Sequence, residues 1–359
     1  MDHIKILKRA FEITRTYRVL WIFGILLALT TAGRGGSPNY RMPSGDNTNW
    51  TRPIPNLEDF NFPEDFNWIL PNITDQLVST LIALGIGLVC FILLLAVAGS
   101  IVRYVSETAL IRMVDSQEAS GEKVGFRQGW RLGWSRAALH IFLVDLLLGI
   151  ASTVVFLILF GVALAPLLVW LTDSVPLQVI GTVAAIGLGL LVIFLAILVG
   201  IILALLIRFI RRACILENLG VFTAMRRGIA LVWQRIGDVI IMGIIMFALG
   251  LAYLIVLIPV ILILVVVGAI VAGLPALMIG AVVGIFMEGP TPWIVAAIVG
   301  IPVFMLIILV PSTFLSGLVE TFKSSTWTLV YRELAALESM RTGEAEASEG
   351  EPLIEEPAT

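Results

Sequence analysis

The stretch that decides the fold is GVFTAMRRGIALVWQRIGD, residues 220–238, together with the uncharged apolar run over residues 239–272 that follows it. Apolar side chains recur in this stretch at steps of three and four residues, the period of an amphipathic helix. They are Phe222, Met225, Ile229, Val232, Trp233 and Ile236. The other face carries the basic residues Arg226, Arg227 and Arg235. The uncharged run is long enough to cross a bilayer. We therefore predict that the chain is built from basic amphipathic helices, each of which leads into a membrane span.

The composition of the whole chain is typical of an integral membrane protein. Its 359 residues are 59% hydrophobic and 14% charged, whereas soluble domains carry roughly 25% charged residues. The apolar runs predict an all-α integral membrane protein, with one domain over residues 1–340 and six transmembrane helices. The spans lie near residues 17–32, 77–102, 137–171, 175–207, 239–272 and 293–319.

Three segments fall outside these spans. Residues 33–76 are polar and rich in Gly, Pro and Asn, so we predict an outside loop. Residues 273–292 are apolar but broken by glycine and proline, which favours a re-entrant or interfacial segment. Residues 341–359 contain six glutamates and few apolar side chains, and we predict a disordered acidic tail.

The distribution of Lys and Arg predicts the orientation. Basic residues concentrate at the N-terminus, over 103–136, over 208–235 and after residue 319, whereas residues 273–292 contain none. Because positive charge accumulates in cytoplasmic loops, both termini are expected in the cytoplasm. The basic helices would then lie against anionic headgroups at the inner surface.

An internal repeat is one interpretation of the basic helices. A Phe, an Arg and a Trp occur in this order three times, each time ahead of a hairpin of two spans. The sets are Phe11/Arg15/Trp21, Phe126/Arg131/Trp134 and Phe222/Arg226/Trp233. We call each such amphipathic helix an elbow, and the hypothesis is three tandem elbow-plus-hairpin units. The alternative is that any span flank looks like this, because Trp and Arg both favour the membrane interface.

Asp145 is the acidic residue that lies well inside a span, so it is a candidate for function by its position. Possible partners are Arg103 and Arg208, at the ends of neighbouring spans. Asp145 would serve either a structural ion pair or a proton or ion pathway. Further candidates for structural ion pairs lie near the ends of the even-numbered spans. They are Arg103, Glu107, Arg208, Glu217, Glu320 and Lys323.

Signatures of enzymes are missing from the sequence. It contains two histidines, His3 and His140, and no H-E-x-x-H, G-x-S-x-G or P-loop pattern. We therefore expect no catalytic residues, no metal site and no cofactor. The basic helices are also too apolar to suggest a nucleic-acid surface.

Three passages carry a resemblance to a known family. They are RACILENLGVFTAMRRG (212–228), ETALIRMVD (107–115) with GEKVGFRQGW (121–130), and TWTLVYREL (326–334). Together they resemble uncharacterised six-span bacterial membrane proteins related to the membrane domain attached to some glycerophosphodiester phosphodiesterases. The phosphodiesterase activity of that family belongs to a separate soluble domain. The resemblance therefore implies a helical bundle in the bacterial cytoplasmic (inner) membrane and no chemistry.

Two functional hypotheses follow. The first is a non-catalytic membrane protein that organises membrane lipids with anionic headgroups, a protein partner or further copies of itself through its elbows. The interface residues would be Phe126, Arg127, Trp130, Arg131, Trp134, Arg226, Arg227, Trp233 and Trp327. The second is a transporter or channel-like protein with an ion- or proton-linked path through Asp145 and the helices broken by Pro259, Pro302 and Pro311. Replacing Asp145 by Asn separates the two hypotheses.

Overall fold

A computed structural model of the chain describes residues 1–31, 75–172, 174–287 and 289–349. Every regular element in these ranges is helical, which confirms the predicted all-α class. The helices are α1 (His3–Thr16), α2 (Val19–Thr31), α3 (Asp75–Ser120), α4 (Phe126–Gly133), α5 (Arg136–Leu164), α6 (Val175–Leu216), α7 (Val221–Gln234), α8 (Ile236–Gly268), α9 (Leu274–Phe286) and α10 (Thr291–Glu349). A 3₁₀ segment, Ala165–Leu171, follows α5, and a π-helical turn, Ala269–Gly273, joins α8 to α9.

The chain divides into two compact units. One comprises Met1–Leu29 and Tyr104–Thr359, and the other is Thr30–Arg103. The described part of the second unit is mainly the first part of α3, whose long apolar side chains are exposed from Ile82 onward. Residues 32–74 lie outside the described ranges, and so does most of the predicted loop at 33–76.

Five helical stretches are long and apolar enough to cross a membrane. They are Ile82–Ser120, Arg136–Trp170, Val175–Leu216, Ile236–Phe286 and Thr291–Met340. The predicted first span at 17–32 differs from these, because α2 has 13 residues and reaches about 20 Å. A bilayer core of about 30 Å needs more. The count becomes six if α1 and α2, which meet at a bend of 99°, form one broken span.

The structure differs from the prediction at 273–292. The helix does not reverse there but continues through the π-helical turn to Phe286, and the turn residues 289 and 290 directly precede α10. Pro275 has no N–H to donate and follows the π-helical turn directly, where the spacing of the helical hydrogen bonds changes. Helix α9 then packs closely on α10, since a Cβ added at Gly280 would lie 3.0 Å from Cβ of Ala296.

The second difference concerns the C-terminal end. Helix α10 continues to Glu349, although an acidic tail was predicted from residue 341. The sequence GEAEASE over 343–349 consists largely of alanine and glutamate, which are strong helix formers. Residues 350–359 lie outside the described ranges.

The core of the larger unit does not lie in its most apolar segments. In each of its four long spans, 6% of the most apolar 18-residue window is buried. The buried side chains belong instead to the parts of the helices near the elbows. The largest are Trp327, Tyr331, Phe23, Phe209, Leu20, Leu110, Ile111 and Met113. The elbow ends of the helices therefore hold this unit together.

The elbows α4 and α7 pack through glycine. A Cβ added at Gly133 of α4 would lie 2.3 Å from the carbonyl oxygen of Val105 in α3. A Cβ added at Gly228 of α7 would lie 2.9 Å from the backbone nitrogen of Ile210 in α6. Only glycine permits so close an approach to backbone. Helix α1 packs on α10, so each elbow packs against a long helix.

Candidate functional site

An ion-pair network connects three long helices near the elbows. Nη1 of Arg211 in α6 lies 2.7 Å from Oε1 of Glu107 in α3, and Nη2 lies 2.7 Å from Oδ2 of Asp145 in α5. The Nε and Nη2 groups of Arg211 also donate to Oδ1 of Asp145, at 3.1 and 2.8 Å. The Tyr104 hydroxyl donates to Oδ2 of Asp145 at 3.2 Å. The three charged side chains are between 12% and 17% exposed.

This network corrects the predicted partner of Asp145. The partner is Arg211, and not Arg208, because Arg208 faces α10, where its Cζ lies 4.9 Å from the centre of the Trp327 ring. The guanidinium group of Arg211 presents a rigid fork of donors that matches a carboxylate. The Asp145 carboxylate is thus held by a charged partner and a hydroxyl, an arrangement that suits a structural ion pair. Arg103 lies in α3 and is half-buried.

A second polar network joins the end of α6 to α7 and α10. Nε of Arg227 lies 3.3 Å from Oε2 of Glu217, and Nη1 lies 2.7 Å from Oε2 of Glu338. The Tyr331 hydroxyl donates to Glu217, and Gln234 donates to Glu338 at 3.1 Å. Desolvation by burial lowers the pKa of Arg227, but Glu217 and Glu338 raise it by a larger amount. The pKa of Arg227 therefore lies above its usual value. The remaining predicted pair, Glu320 and Lys323, is formed within α10 at 3.0 Å.

Two residues predicted for the lipid or partner interface lie elsewhere. Trp327 is 2% exposed and packs edge-on against Phe209, with ring centroids 5.7 Å apart. Arg227 is engaged by the two carboxylates described above. Trp327 therefore belongs to the core, and Arg227 to the contact between α7 and its neighbours.

The other predicted interface residues line the outer surfaces of α4 and α7. Trp134 is 63% exposed and Trp233 is 70% exposed. Phe126 is also exposed, whereas Trp130 is half-buried and stacks on Phe23 of α2. The exposed cations beside them form no ion pair with any residue that the structure describes. They are Arg127, Arg131 and Arg226. Exposed indole rings beside free guanidinium groups, at the entrance to membrane spans, are typical of the headgroup region.

A family model matches residues 1–334 of the chain, which include α1 to α9 and most of α10. The chain belongs to the family DUF7544. Its description is a family of unknown function. No curated protein and no solved structure matches the chain. None of these comparisons links this DUF7544 chain to the membrane domain of glycerophosphodiester phosphodiesterases, so that resemblance stays a prediction.

Sequence reasoning about this DUF7544 chain missed Arg211 as the centre of the buried network. It included Lys8 among the basic residues of the N-terminal helix but did not single it out; Lys8 is an exposed cation of α1 without an ion pair in the described ranges. A signal for Lys8 exists in the sequence, because counting from the N-cap of each elbow places Lys8, Arg131 and Arg226 at the same position. No comparable signal selects Arg211 from the neighbouring Arg208 and Arg212. Within the described ranges, no group of three His, Cys, Asp or Glu side chains could hold a metal ion.

Proposed function

We propose that this chain is a non-catalytic multi-pass membrane protein that organises anionic lipids through its elbows α1, α4 and α7. One observation carries the proposal: Trp134 and Trp233 are exposed beside Arg131 and Arg226, which have no carboxylate partner among the described residues. Each Lys or Arg near an anionic membrane surface contributes about 1 kcal/mol of attraction. Exposed indole rings favour the same depth, because they combine an apolar body with a polar N–H group. Both features therefore support a membrane surface as the binding partner.

The proposal includes an architecture. Helix α2 is the first and shortest of six spans, α1 lies at the membrane surface as its elbow, and three tandem units each consist of an elbow and a hairpin of spans. In support, α1, α4 and α7 all bury the fourth and eighth residues after the N-cap and expose the second, third and sixth. This register differs from the predicted sets, because it aligns Lys8, and not Arg15, with Arg131 and Arg226. Both termini and all three elbows lie on the cytoplasmic side of a bacterial cell membrane, as the distribution of Lys and Arg favours.

The alternative of a transporter or channel-like protein rests on Asp145 and the prolines of the spans. An ion- or proton-linked path through Asp145 requires the Asp145–Arg211 pair to open, because Arg211 holds both carboxylate oxygens. A carboxylate bound in this way is better suited to holding α5 against α6. Organisation of lipids is accordingly the function that the geometry supports best.

The test is to extract the protein from its own membrane within a copolymer-bounded lipid disc and to measure the lipids retained. Enrichment of anionic lipids over the bulk membrane supports the proposal. A lipid composition equal to that of the bulk membrane overturns it. A protein partner at fixed stoichiometry without lipid enrichment also overturns it, in favour of protein organisation.

A matched pair of variants sharpens this test. The Trp134→Ala/Trp233→Ala variant removes exposed indoles at the elbow end of the spans. The control, Trp170→Ala/Trp293→Ala, removes two indoles of similar exposure at the opposite end of the spans. The enrichment of anionic lipid is expected to fall in the first variant and to persist in the control.

A further inference from the structure

We infer that Lys8, Arg131 and Arg226 are three equivalent contacts for the phosphate groups of anionic phospholipids, one on each elbow. The inference rests on the proposed function and adds to it the residues, the number of sites and the chemical group that is bound. It is carried by a position in the helices that α1, α4 and α7 have in common.

The three elbows share one register without gaps. Their N-caps are Asp2, Gly125 and Gly220. The fourth and eighth residues after each N-cap are buried, and they form the face that packs on the protein. These pairs are Ile6 and Ala10, Gly129 and Gly133, and Ala224 and Gly228. The sixth residue is Lys8, Arg131 or Arg226, and each of them is exposed. At about 100° per residue, the sixth position points about 180° away from the mean of the fourth and eighth.

Exposed apolar side chains lie on the same outer face as each cation. In α1 these are Ile4 and Phe11, in α4 Trp134, and in α7 Phe222 and Trp233. They occupy the second, ninth or thirteenth position after the N-cap, within about 60° of the sixth position. Each cation therefore lies beside an apolar side chain that can insert at the boundary between headgroups and acyl chains, while the cation itself can contact a headgroup.

The seventh position provides a contrast. Its cations in α1 and α7 are Arg9 and Arg227, and both are bound by the protein. Nε of Arg9 lies 2.6 Å from Glu118, and Nη1 of Arg227 lies 2.7 Å from Glu338. The sixth-position cations have no such partner among the described residues. In α1 and α7, the seventh position therefore binds carboxylates of the protein, whereas the cation at the sixth position is exposed.

The length of the connections places these cations near the membrane surface. Helix α1 is followed by α2 from Val19, α4 by α5 from Arg136, and α7 by α8 from Ile236. Two or fewer residues therefore separate each elbow from the helix that follows it. An exposed cation at this depth meets the phosphate of a phospholipid, which accepts charge-assisted hydrogen bonds from Arg or Lys.

The test is native mass spectrometry of the purified full chain titrated with phosphatidylglycerol or phosphatidylcholine in detergent. The variant is Lys8→Gln/Arg131→Gln/Arg226→Gln, which removes three positive charges. The matched control is Lys123→Gln/Arg136→Gln/Arg235→Gln, at three exposed basic residues that lie outside the helices α1, α4 and α7. All three control positions are exposed, and the net charge again falls by three.

The wild type is expected to bind up to three phosphatidylglycerol molecules more tightly than phosphatidylcholine. Neutralising the sixth position is expected to weaken phosphatidylglycerol binding about fivefold at each site, the factor that corresponds to about 1 kcal/mol per cation. The control is expected to stay within about twofold of the wild type, because screened charge at another position does not contact the phosphate. The single variant Arg226→Gln is expected to lose one bound lipid.

Equal weakening in the variant and the control would overturn the inference in favour of a general charge effect. Unchanged binding in the variant would overturn it as well, while a wild-type preference for phosphatidylglycerol would still support the proposed function. No preference of the wild type for either lipid would refute both. Thermal unfolding of variant and control in the same detergent verifies that both are folded.

Discussion

Removing the guanidinium group of Arg211 is expected to destabilise the protein more than the loss of any exposed cation. In the Arg211→Met variant, Glu107 and Asp145 stay largely buried, and neither keeps the contact of 2.7 Å that now neutralises it. Breaking a buried ion pair by removing one partner costs about 3–5 kcal/mol. The exposure of 12–17% allows some solvent screening, so we expect a loss of about 3 kcal/mol. That is a large fraction of the roughly 5–15 kcal/mol that stabilises a typical fold.

The assay is reversible unfolding by SDS in mixed micelles, followed by tryptophan fluorescence, with the free energy of unfolding extrapolated to zero SDS. The matched control is Arg226→Met, which removes the same charge from an exposed position without an ion pair in the described ranges. Its expected effect is within about 0.5 kcal/mol of zero. The double variant Arg211→Met/Asp145→Asn also removes the charge of Asp145, which Arg211 holds through both carboxylate oxygens, and is expected to recover part of the loss.

Two results would refute this reasoning. One is an Arg211→Met variant as stable as Arg226→Met, which would mean that the network contributes nothing. The other is a double variant as unstable as the single one, because the loss would then come from packing and not from the charge of Asp145. A folded Asp145→Asn variant that had lost an ion- or proton-linked flux would instead favour the transporter hypothesis.

Two further predictions concern packing and use the same SDS assay. Gly228→Ala places a Cβ 2.9 Å from the backbone of Ile210, and it should lower the free energy of unfolding by about 1–3 kcal/mol. The control Gly187→Ala meets no atom within 4 Å, and it should raise the free energy of unfolding by up to about 1 kcal/mol. Equal effects of the two substitutions would contradict the assigned contact between α7 and α6. Trp327→Ala should lower the free energy of unfolding by roughly 3–5 kcal/mol, because it leaves a cavity in the core. The exposed Trp134→Ala should change it little, and a larger loss for Trp134→Ala than for Trp327→Ala would contradict the assignment of Trp327 to the core.

The helical periodicity of the sequence predicted α1, α4 and α7, because their large apolar residues recur at steps of three and four among basic residues. The helix over residues 220–238, for example, is α7 from Val221 to Gln234, followed by α8 from Ile236. Small residues four apart, such as Gly129 and Gly133, mark the packed face and are visible without a structure. The predicted apolar stripe of α7 is not its packed face, because Phe222 and Trp233 are exposed on the same side as Arg226. The period therefore predicts the helix, whereas its packing determines which face is buried.

Trp327 and Arg211 illustrate what local pattern does not determine. Trp327 lies on an apolar stripe of α10, and such a stripe can meet either lipid or protein, since both accept apolar side chains. Only the packing of Phe209 and Arg208 against the Trp327 ring decides between them. Arg211 and Arg208 are both arginines near the end of α6, but they point in different directions. Arg211 meets Glu107 of α3 and Asp145 of α5, whereas Arg208 meets Trp327 of α10, and only the packing of these helices decides this.

The location of the core in the larger unit has a physical cause that also bears on the function. Lipid tails are as apolar as leucine, so helices within the membrane gain nothing from burying apolar side chains against one another. Accordingly, 6% of the most apolar window of each long span in this unit is buried. Near the elbows, water and headgroups are close, and burial of Trp327 or Phe209 removes apolar surface from water. The same proximity keeps Lys8, Arg131 and Arg226 solvated while Arg211 is enclosed. The end of the bundle that stabilises the fold is therefore also the end that carries these exposed cations, as the proposed binding of anionic lipid requires.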